Sequence, residues 1–246
     1  MKTMIWAHRG ASAYAPENTM EAFLLAHKMQ ADGIELDVHL TKDGHLVVAH
    51  DETVDRCSNG SGHIVDKTLA ELLKLDFSKQ FNNYSNIRIP TLEQVLKFIK
   101  TSGLTVNIEI KSDKVLYEGI EGKTLQLVSK MGLNNRVIYS SFNHYSLMLI
   151  KKMDPSAQVG ILYSEAMVDP CIYAQHLKVE AIHPYYVTLM VPGTVEGCKK
   201  RGIKIHPWTV DNPDHMAWMF KEEVEAIITN RPDEAVQIRK TMQNIK

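Results

Sequence analysis

The feature that most constrains this chain is an alternation of short apolar runs with amphipathic segments, repeated from one end to the other. Apolar runs recur at Met4–Ala7, Gly33–Leu40, Thr105–Ile110, Val137–Phe142, Gln158–Tyr163, Ala181–Tyr185, Ile203–Val210 and Ala226–Thr229. Each has the length of a strand, and the segments between them carry apolar residues at helical spacing, as Leu92, Val95, Leu96 and Ile99 do. Strands that alternate with helices through short connections pair in parallel, because each helix must carry the chain back to the start of the sheet. Eight such units in 246 residues predict one α/β domain over 1–246, a closed (β/α)8 barrel.

Start and stop signals set the expected helix limits. Asn18, with Glu21 three residues on, reads as the N-cap of the first helix. Thr91 caps the next, and a helix is expected over Leu116–Met131, stopped by Gly132. Further helices are expected at His144–Met153, at Pro170–Leu177, at Pro192–Arg201 and after Asn212-Pro213, with one more at the C-terminus. Residues 52–90 break the rhythm and read as a small insertion after the second strand, with a short helix near Leu69–Leu73 and too few apolar residues for a second domain.

The polar residues fall where a barrel would use them. His8-Arg9 closes the first strand, Glu35 and Asp37 lie late in the second, and Glu109 with Lys111 closes the third. Phe142, His183, Trp208 and Asn230-Arg231 sit at or near the ends of later strands. The C-terminal ends of barrel strands converge on one mouth, where active sites are built. Taken singly, Phe142, His183 and His206 are better explained as loop or core residues.

The densest stretch is Gly33–Asp51, GIELDVHLTKDGHLVVAHD. Ile34, Leu36, Val38 and Leu40 alternate with Glu35, Asp37 and His39, so both carboxylates point to one face of a strand. Two acids side by side repel unless a cation lies between them, and an all-oxygen pair suits Mg²⁺ or Ca²⁺ better than zinc. Thr41-Lys42-Asp43-Gly44 makes a turn, and a short apolar strand then brings His50 back towards the acids. A histidine beside a metal can exchange protons near neutral pH.

Composition narrows the partners. Lys+Arg total 28 against Asp+Glu 29, with no basic block, which argues against nucleic acid. The three cysteines, Cys57, Cys171 and Cys198, are scattered and suit a reducing compartment. The first residues enter a strand without a signal-peptide pattern, and no apolar run approaches a membrane span. A cytoplasmic enzyme without membrane insertion is the expectation.

Several stretches together resemble the glycerophosphodiester phosphodiesterases: AHRG at Ala7–Gly10, PENT at Pro16–Thr19, IELDVHLTKDG at Ile34–Gly44, VVAHD at Val47–Asp51, IEIK at Ile108–Lys111 and WTVD at Trp208–Asp211. The resemblance spans nearly the whole chain. It implies a TIM barrel with a small insertion after the second strand, and a divalent metal held by Glu35, Asp37 and Glu109. It further implies an acid/base pair at His8 and His50, with phosphate contacts from Arg9 and Lys111. The chemistry is coherent: a phosphodiester needs charge neutralisation, a base for the attacking oxygen and an acid for the leaving alkoxide. Trp208 is expected to wall the glycerol side. The expected reaction is hydrolysis of glycerophosphodiesters to glycerol 3-phosphate and an alcohol, with the roles of the two histidines open.

Two rivals are distinct from this. A lysophospholipase D would use the same machinery with an apolar groove, for which Tyr185, Tyr186, Leu189, Met190 and the Met216–Phe220 segment are the candidates. A barrel that binds phosphorylated polyols without turnover would not need an acid/base pair.

Overall fold

The computed structural model describes residues 3–244. Eight parallel strands follow one another round a barrel: β1 (Met4–His8), β2 (Gly33–Leu40), β4 (Thr105–Ile110), β5 (Val137–Ser141), β6 (Val159–Tyr163), β7 (Ala181–Pro184), β8 (Lys204–Ile205) and β9 (Ala226–Thr229). The ninth strand, β3 (Leu46–Val48), pairs antiparallel with β2 as a hairpin arm. The seam between β8 and β9 is drawn together by backbone bonds from Ile228 N to Pro207 O and from Val210 N to Ile228 O, each 2.9 Å. This is the predicted architecture.

Strand alternation sorts the side chains into two cores. Ile5, Ala7, Ile34, Leu36, Val38, Val106, Ile108 and Ile110 face the surrounding helices and are buried there. The opposite faces point into the barrel, where Trp6, Ile138, Ala181, Ala226 and Ile228 form a separate cluster. Small residues make room for large ones inside. A Cβ on Gly160 would stand 2.2 Å from His183 Nε2, and one on Gly33 would stand 2.7 Å from Trp6 Cδ1.

Most helices fall where the signals put them, including α3 (Leu92–Ser102), α5 (His144–Met153) and α6 (Pro170–Leu177). Four details differ. The first helix, α1 (Met20–Lys28), is capped by Thr19, whose hydroxyl accepts from Ala22 N; Asn18 instead takes φ 57° and turns to the site. The helix expected from Leu116 begins only at Ile120 (α4, Ile120–Met131), because Gly119 adopts φ 78° just before it. The helix expected from Pro192 begins at Thr194 (α7, Thr194–Lys200), after Gly193 at φ 86°. The strand expected over Ile203–Val210 is regular only at Lys204–Ile205, although His206 N and Trp208 N still bond to Ile182 O and Pro184 O.

The insertion has more apolar content than its sequence suggested. Val54, Ile64, Leu72, Phe77, Ile87 and Ile89 pack on Val47 of β3 as a small cluster of their own. Its short helix, α2 (Leu69–Leu72), carries a capping box between Thr68 and Glu71. The insertion is thereby fixed to the hairpin that carries His50. Among the described residues no helix is long and apolar enough to cross a membrane.

Candidate active site

Strand register assembles the site. His8 of β1 lies beside Glu35 of β2, and Asp37 of β2 lies beside Glu109 of β4. All four side chains therefore point into the barrel at its C-terminal end. Glu35, Asp37 and Glu109 are 3%, 1% and 7% exposed. One oxygen from each lies within 4.8 Å of the others.

Three buried carboxylates this close cannot all stay charged without compensation. Burial pushes the Glu35 carboxyl well above its usual range, and Asp37 and Glu109 add to the push. Glu109 is raised to about 7, by burial and Asp37 working against the Lys111 ammonium. Burial also pushes Asp37 upward, but Arg9, His50 and Lys111, with a hydrogen bond from Asn18, overcome it and hold this carboxyl far below the ordinary value. Asp37 Oδ1 is buried and has no hydrogen-bond partner. An all-oxygen, electron-rich set with a free buried acceptor fits one hard divalent cation, the reading that the strand pattern suggested for Glu35 and Asp37 and the family resemblance extended to Glu109.

The two histidines are held differently. His8 Nδ1 is 2.7 Å from Asn230 Oδ1, whose amide nitrogen donates in turn to Asp211 Oδ2 at 2.6 Å. The Asn230 oxygen can only accept, so His8 carries its proton on Nδ1 and presents a bare Nε2, which lies 4.0 Å from Glu35 Oε2. Burial and the Arg9 charge lower the His8 pKa to about 4, against the pull of Asn230, so the ring is neutral at pH 7. His50 sits on the loop after β3, where its Nδ1 is 2.7 Å from Asp51 Oδ1. Its carbonyl accepts from His39 Nε2 at 3.1 Å, and His39 Nδ1 is 2.8 Å from the Tyr117 hydroxyl.

The cations are in place as well. Arg9 takes φ 56° and Gly10 φ 83°, and a Cβ on Gly10 would meet Ala22 at 2.6 Å, so the tight turn after β1 needs that glycine. This turn sends the Arg9 backbone N–H to Glu35 Oε2 at 3.0 Å and its guanidinium to Glu17 at 3.0 Å and Asp37 at 3.5 Å. Lys111 Nζ donates to Glu109 Oε1 at 2.9 Å and lies 3.9 Å from Asp37 Oδ1. Trp208 and Phe142 line the same cleft as His8, Arg9, His50 and Glu109. All eight residues predicted from the sequence therefore meet at one mouth, and Phe142 joins them, against the expectation for it taken singly. His183 and His206 are core partners, as expected, 2.9 Å apart inside the barrel. A larger cavity of about 290 Å³ opens at the other end of the barrel, among Trp6, Ile138 and His206, and holds none of the carboxylates.

Sequence reasoning missed the residues that hold these groups. Asn18 donates to Asp37 Oδ2 at 2.8 Å, and Asn230 with Asp211 orients His8. Arg56, from the insertion, grips Glu17 with both terminal nitrogens at 2.7 Å and Asp51 through Nε at 2.7 Å. It ties the partner of Arg9 to the partner of His50. Asn18, Asp211 and Asp51 lie inside stretches that carried the family resemblance, but Arg56 left no signal. Of the residues offered for an acyl-chain groove, Leu189, Met216 and Met219 are buried in packing, whereas Tyr185 and Met190 are exposed.

The chain is similar to known proteins along nearly its whole length. The model of the glycerophosphoryl diester phosphodiesterase family matches residues 8–234. The chain belongs to that family. A glycerophosphodiester phosphodiesterase of Caldanaerobacter subterraneus subsp. tengcongensis is 49% identical over 97% of this chain and 98% of its own. One from Bacillus subtilis is 36% identical over 95% of this chain and 85% of its own. Among solved structures, an Oleispira antarctica phosphodiesterase in complex with the product sn-glycerol-3-phosphate superposes with a TM-score of 0.86 at 27% identity, over 97% of each chain. A relative from Silicibacter pomeroyi, at 20% identity over 98% of this chain and 94% of its own, shares the fold with a TM-score of 0.90. The chain is thus a phosphoric diester hydrolase of the glycerophosphodiester phosphodiesterase family, as its motifs implied.

Proposed function

We propose that this phosphodiesterase releases glycerol 3-phosphate and an alcohol at a single divalent-metal site, with His8 as general base and His50 as general acid. The observation that carries the reading is the convergence of three buried carboxylates and two differently held histidines on one cleft. The Oleispira relative's product complex supports glycerol 3-phosphate as the retained half.

Glu35, Asp37 and Glu109 would hold the cation, which when bound supplies electrostatic neutralisation of the phosphate. Arg9 and Lys111 bind phosphate oxygens from the same mouth, Arg9 with a planar fork and Lys111 as a point charge. His8, neutral and with Nδ1–H fixed by Asn230, takes the proton of the attacking oxygen on Nε2. His50 delivers a proton to the leaving alkoxide, and Asp51, 2.7 Å from its Nδ1, fixes the ring. Trp208 forms an apolar wall against the glycerol carbons.

Glycerol 3-phosphate release from several glycerophosphodiesters, read with a coupled dehydrogenase, tests this. Chelation with EDTA abolishes release, and Mg²⁺ or Ca²⁺ restores it. Full activity after exhaustive chelation refutes the metal site, and no release from any diester with either metal refutes the substrate class.

A further inference from the structure

We infer that Arg56 is a positioning residue for the reaction: one guanidinium, carried by the insertion, sets both the His50 ring and the Arg9 clamp without touching substrate. The inference rests on the phosphodiesterase reading above and adds a residue to its machinery.

The turn that carries Arg56 is fixed on both sides. Val54 is buried in the apolar cluster of the insertion. Ser58, fully buried, donates its N–H and its hydroxyl to Val54 O at 2.9 Å and 2.7 Å. From this turn the guanidinium meets two carboxylates with paired bonds. Nη1 and Nη2 donate to the two oxygens of Glu17, each at 2.7 Å. Nε and Nη2 donate to the two oxygens of Asp51, at 2.7 Å and 3.1 Å. Burial pushes both carboxyls upward, but the Arg56 bonds, joined by Arg9 at Glu17 and by His50 at Asp51, hold both below their ordinary values. Both are therefore charged near neutral pH, and the bonds to Arg56 are of the strong, charge-assisted kind.

Each carboxylate has a second partner in the cleft. Glu17 Oε1 also accepts from Arg9 Nη1 at 3.0 Å. Asp51 Oδ1 lies 2.7 Å from His50 Nδ1. Two arms thus start on one planar group, Arg56–Glu17–Arg9 towards the phosphate and Arg56–Asp51–His50 towards the leaving alkoxide. Glu17 belongs to the loop after β1 and Asp51 to the loop after β3, so the guanidinium sets two separate loops to one geometry. Arg56 itself does not line the cleft that Arg9 and His50 share. Its bonds to the two carboxylates use four of the five N–H donors of a guanidinium, which leaves it poorly suited to hold a phosphate. A lysine has no planar fork with which to pair both carboxylates.

The test reads Arg56→Met and Arg56→Lys on glycerophosphocholine and on the nitrophenyl ester of glycerol 3-phosphate, with His50→Ala as the reference. In Arg56→Met, kcat for the choline ester should fall by roughly 10- to 10²-fold, the cost of a misplaced reacting group. The nitrophenyl ester, which needs no acid, should escape most of that loss. KM should rise for both esters, because Arg9 serves the phosphate in each. Arg56→Lys keeps the charge without the fork and should show the same split; it carries both readouts if Arg56→Met does not fold. The side chain is 37% exposed, so added guanidinium ion should restore kcat in Arg56→Ala, whereas methylammonium, equal in charge, should not. Equal kcat losses on the two esters, while His50→Ala is relieved by the nitrophenyl ester, overturn the inference. So does an unchanged KM, since both arms are required, and so do wild-type constants in Arg56→Lys or a lowered Tm alone. A nitrophenyl ester that fails to relieve His50→Ala would instead overturn the acid assignment, and the KM arm then decides for Arg56. No release from any diester by the wild type would overturn the phosphodiesterase reading.

Discussion

Replacing Glu35 by Gln should stabilise the metal-free protein while removing its response to metal. Glu35 has two carboxylate neighbours with oxygens within 4.8 Å. A pair of unit charges at that separation repels by about 3.5 kcal/mol at an effective dielectric constant of about 20. The Arg9 and Lys111 charges return part of this, and the Arg9 N–H bond to Glu35 Oε2 survives on the Gln carbonyl. A net gain of about 1–3 kcal/mol remains, which at this chain length raises Tm by roughly 3–10 °C. The gain has a defined pH dependence. Glu35 is raised in the folded protein above its ordinary value of 4.5. Below that value both states are protonated and the substitution gains nothing from charge. As pH rises, the unfolded chain releases its proton first, so the wild type loses stability until pH passes the folded pKa. Gln has no proton to lose, so its advantage grows from about pH 4.5 upward. Melting curves in EDTA between pH 4.5 and 8 read this directly. With Mg²⁺ or Ca²⁺ at a thousand times Kd the order reverses, because only the wild type gains binding energy, about 4.1 kcal/mol. A variant no more stable than wild type in EDTA at pH 7.5 would refute the reasoning. So would a gain that does not change with pH, or equal stabilisation of both proteins by metal.

Three further outcomes follow from the same geometry. His8→Ala and His50→Ala should each lower kcat by roughly 10²–10⁴-fold, and the double variant should lose less than the product. A nitrophenyl ester, which needs no acid, should rescue His50→Ala and leave His8→Ala inactive; the opposite pattern would exchange the roles. Trp208→Ala should raise KM more than it lowers kcat, and a lowered Tm with unchanged KM would make it a packing residue only. Gly160→Ala should cost about 1–3 kcal/mol, because its Cβ would stand 2.2 Å from His183 Nε2 inside a packed barrel. Wild-type stability in that variant would mean that the His183–His206 pair can move aside.

The sequence alone determined the architecture and the reactive groups. Period-2 alternation decides which face of each strand is apolar, so Glu35 and Asp37 had to share a face whatever the fold. The eight strand–helix units fixed the barrel, and the ends of its strands fixed the mouth. Local signals were weaker where two readings compete for one residue. Asn18 has the chemistry of an N-cap, but the neighbouring Thr19 takes that role, and the Asn18 amide turns to Asp37. Gly119 and Gly193 looked like ordinary residues within helical runs, until positive φ made them helix boundaries.

Only the tertiary structure decided how the reactive groups are held. The register that sets Asp37 beside Glu109, and His8 beside Glu35, depends on how separate strands pair, which no single strand encodes. The bare Nε2 of His8 comes from Asn230, 222 positions away in the chain. Arg56 joins Glu17 to Asp51 across a fold that sequence spacing does not reveal. The identity of a catalytic group is local, whereas its protonation and orientation are set by charges and hydrogen bonds from remote segments, and those exist only after folding.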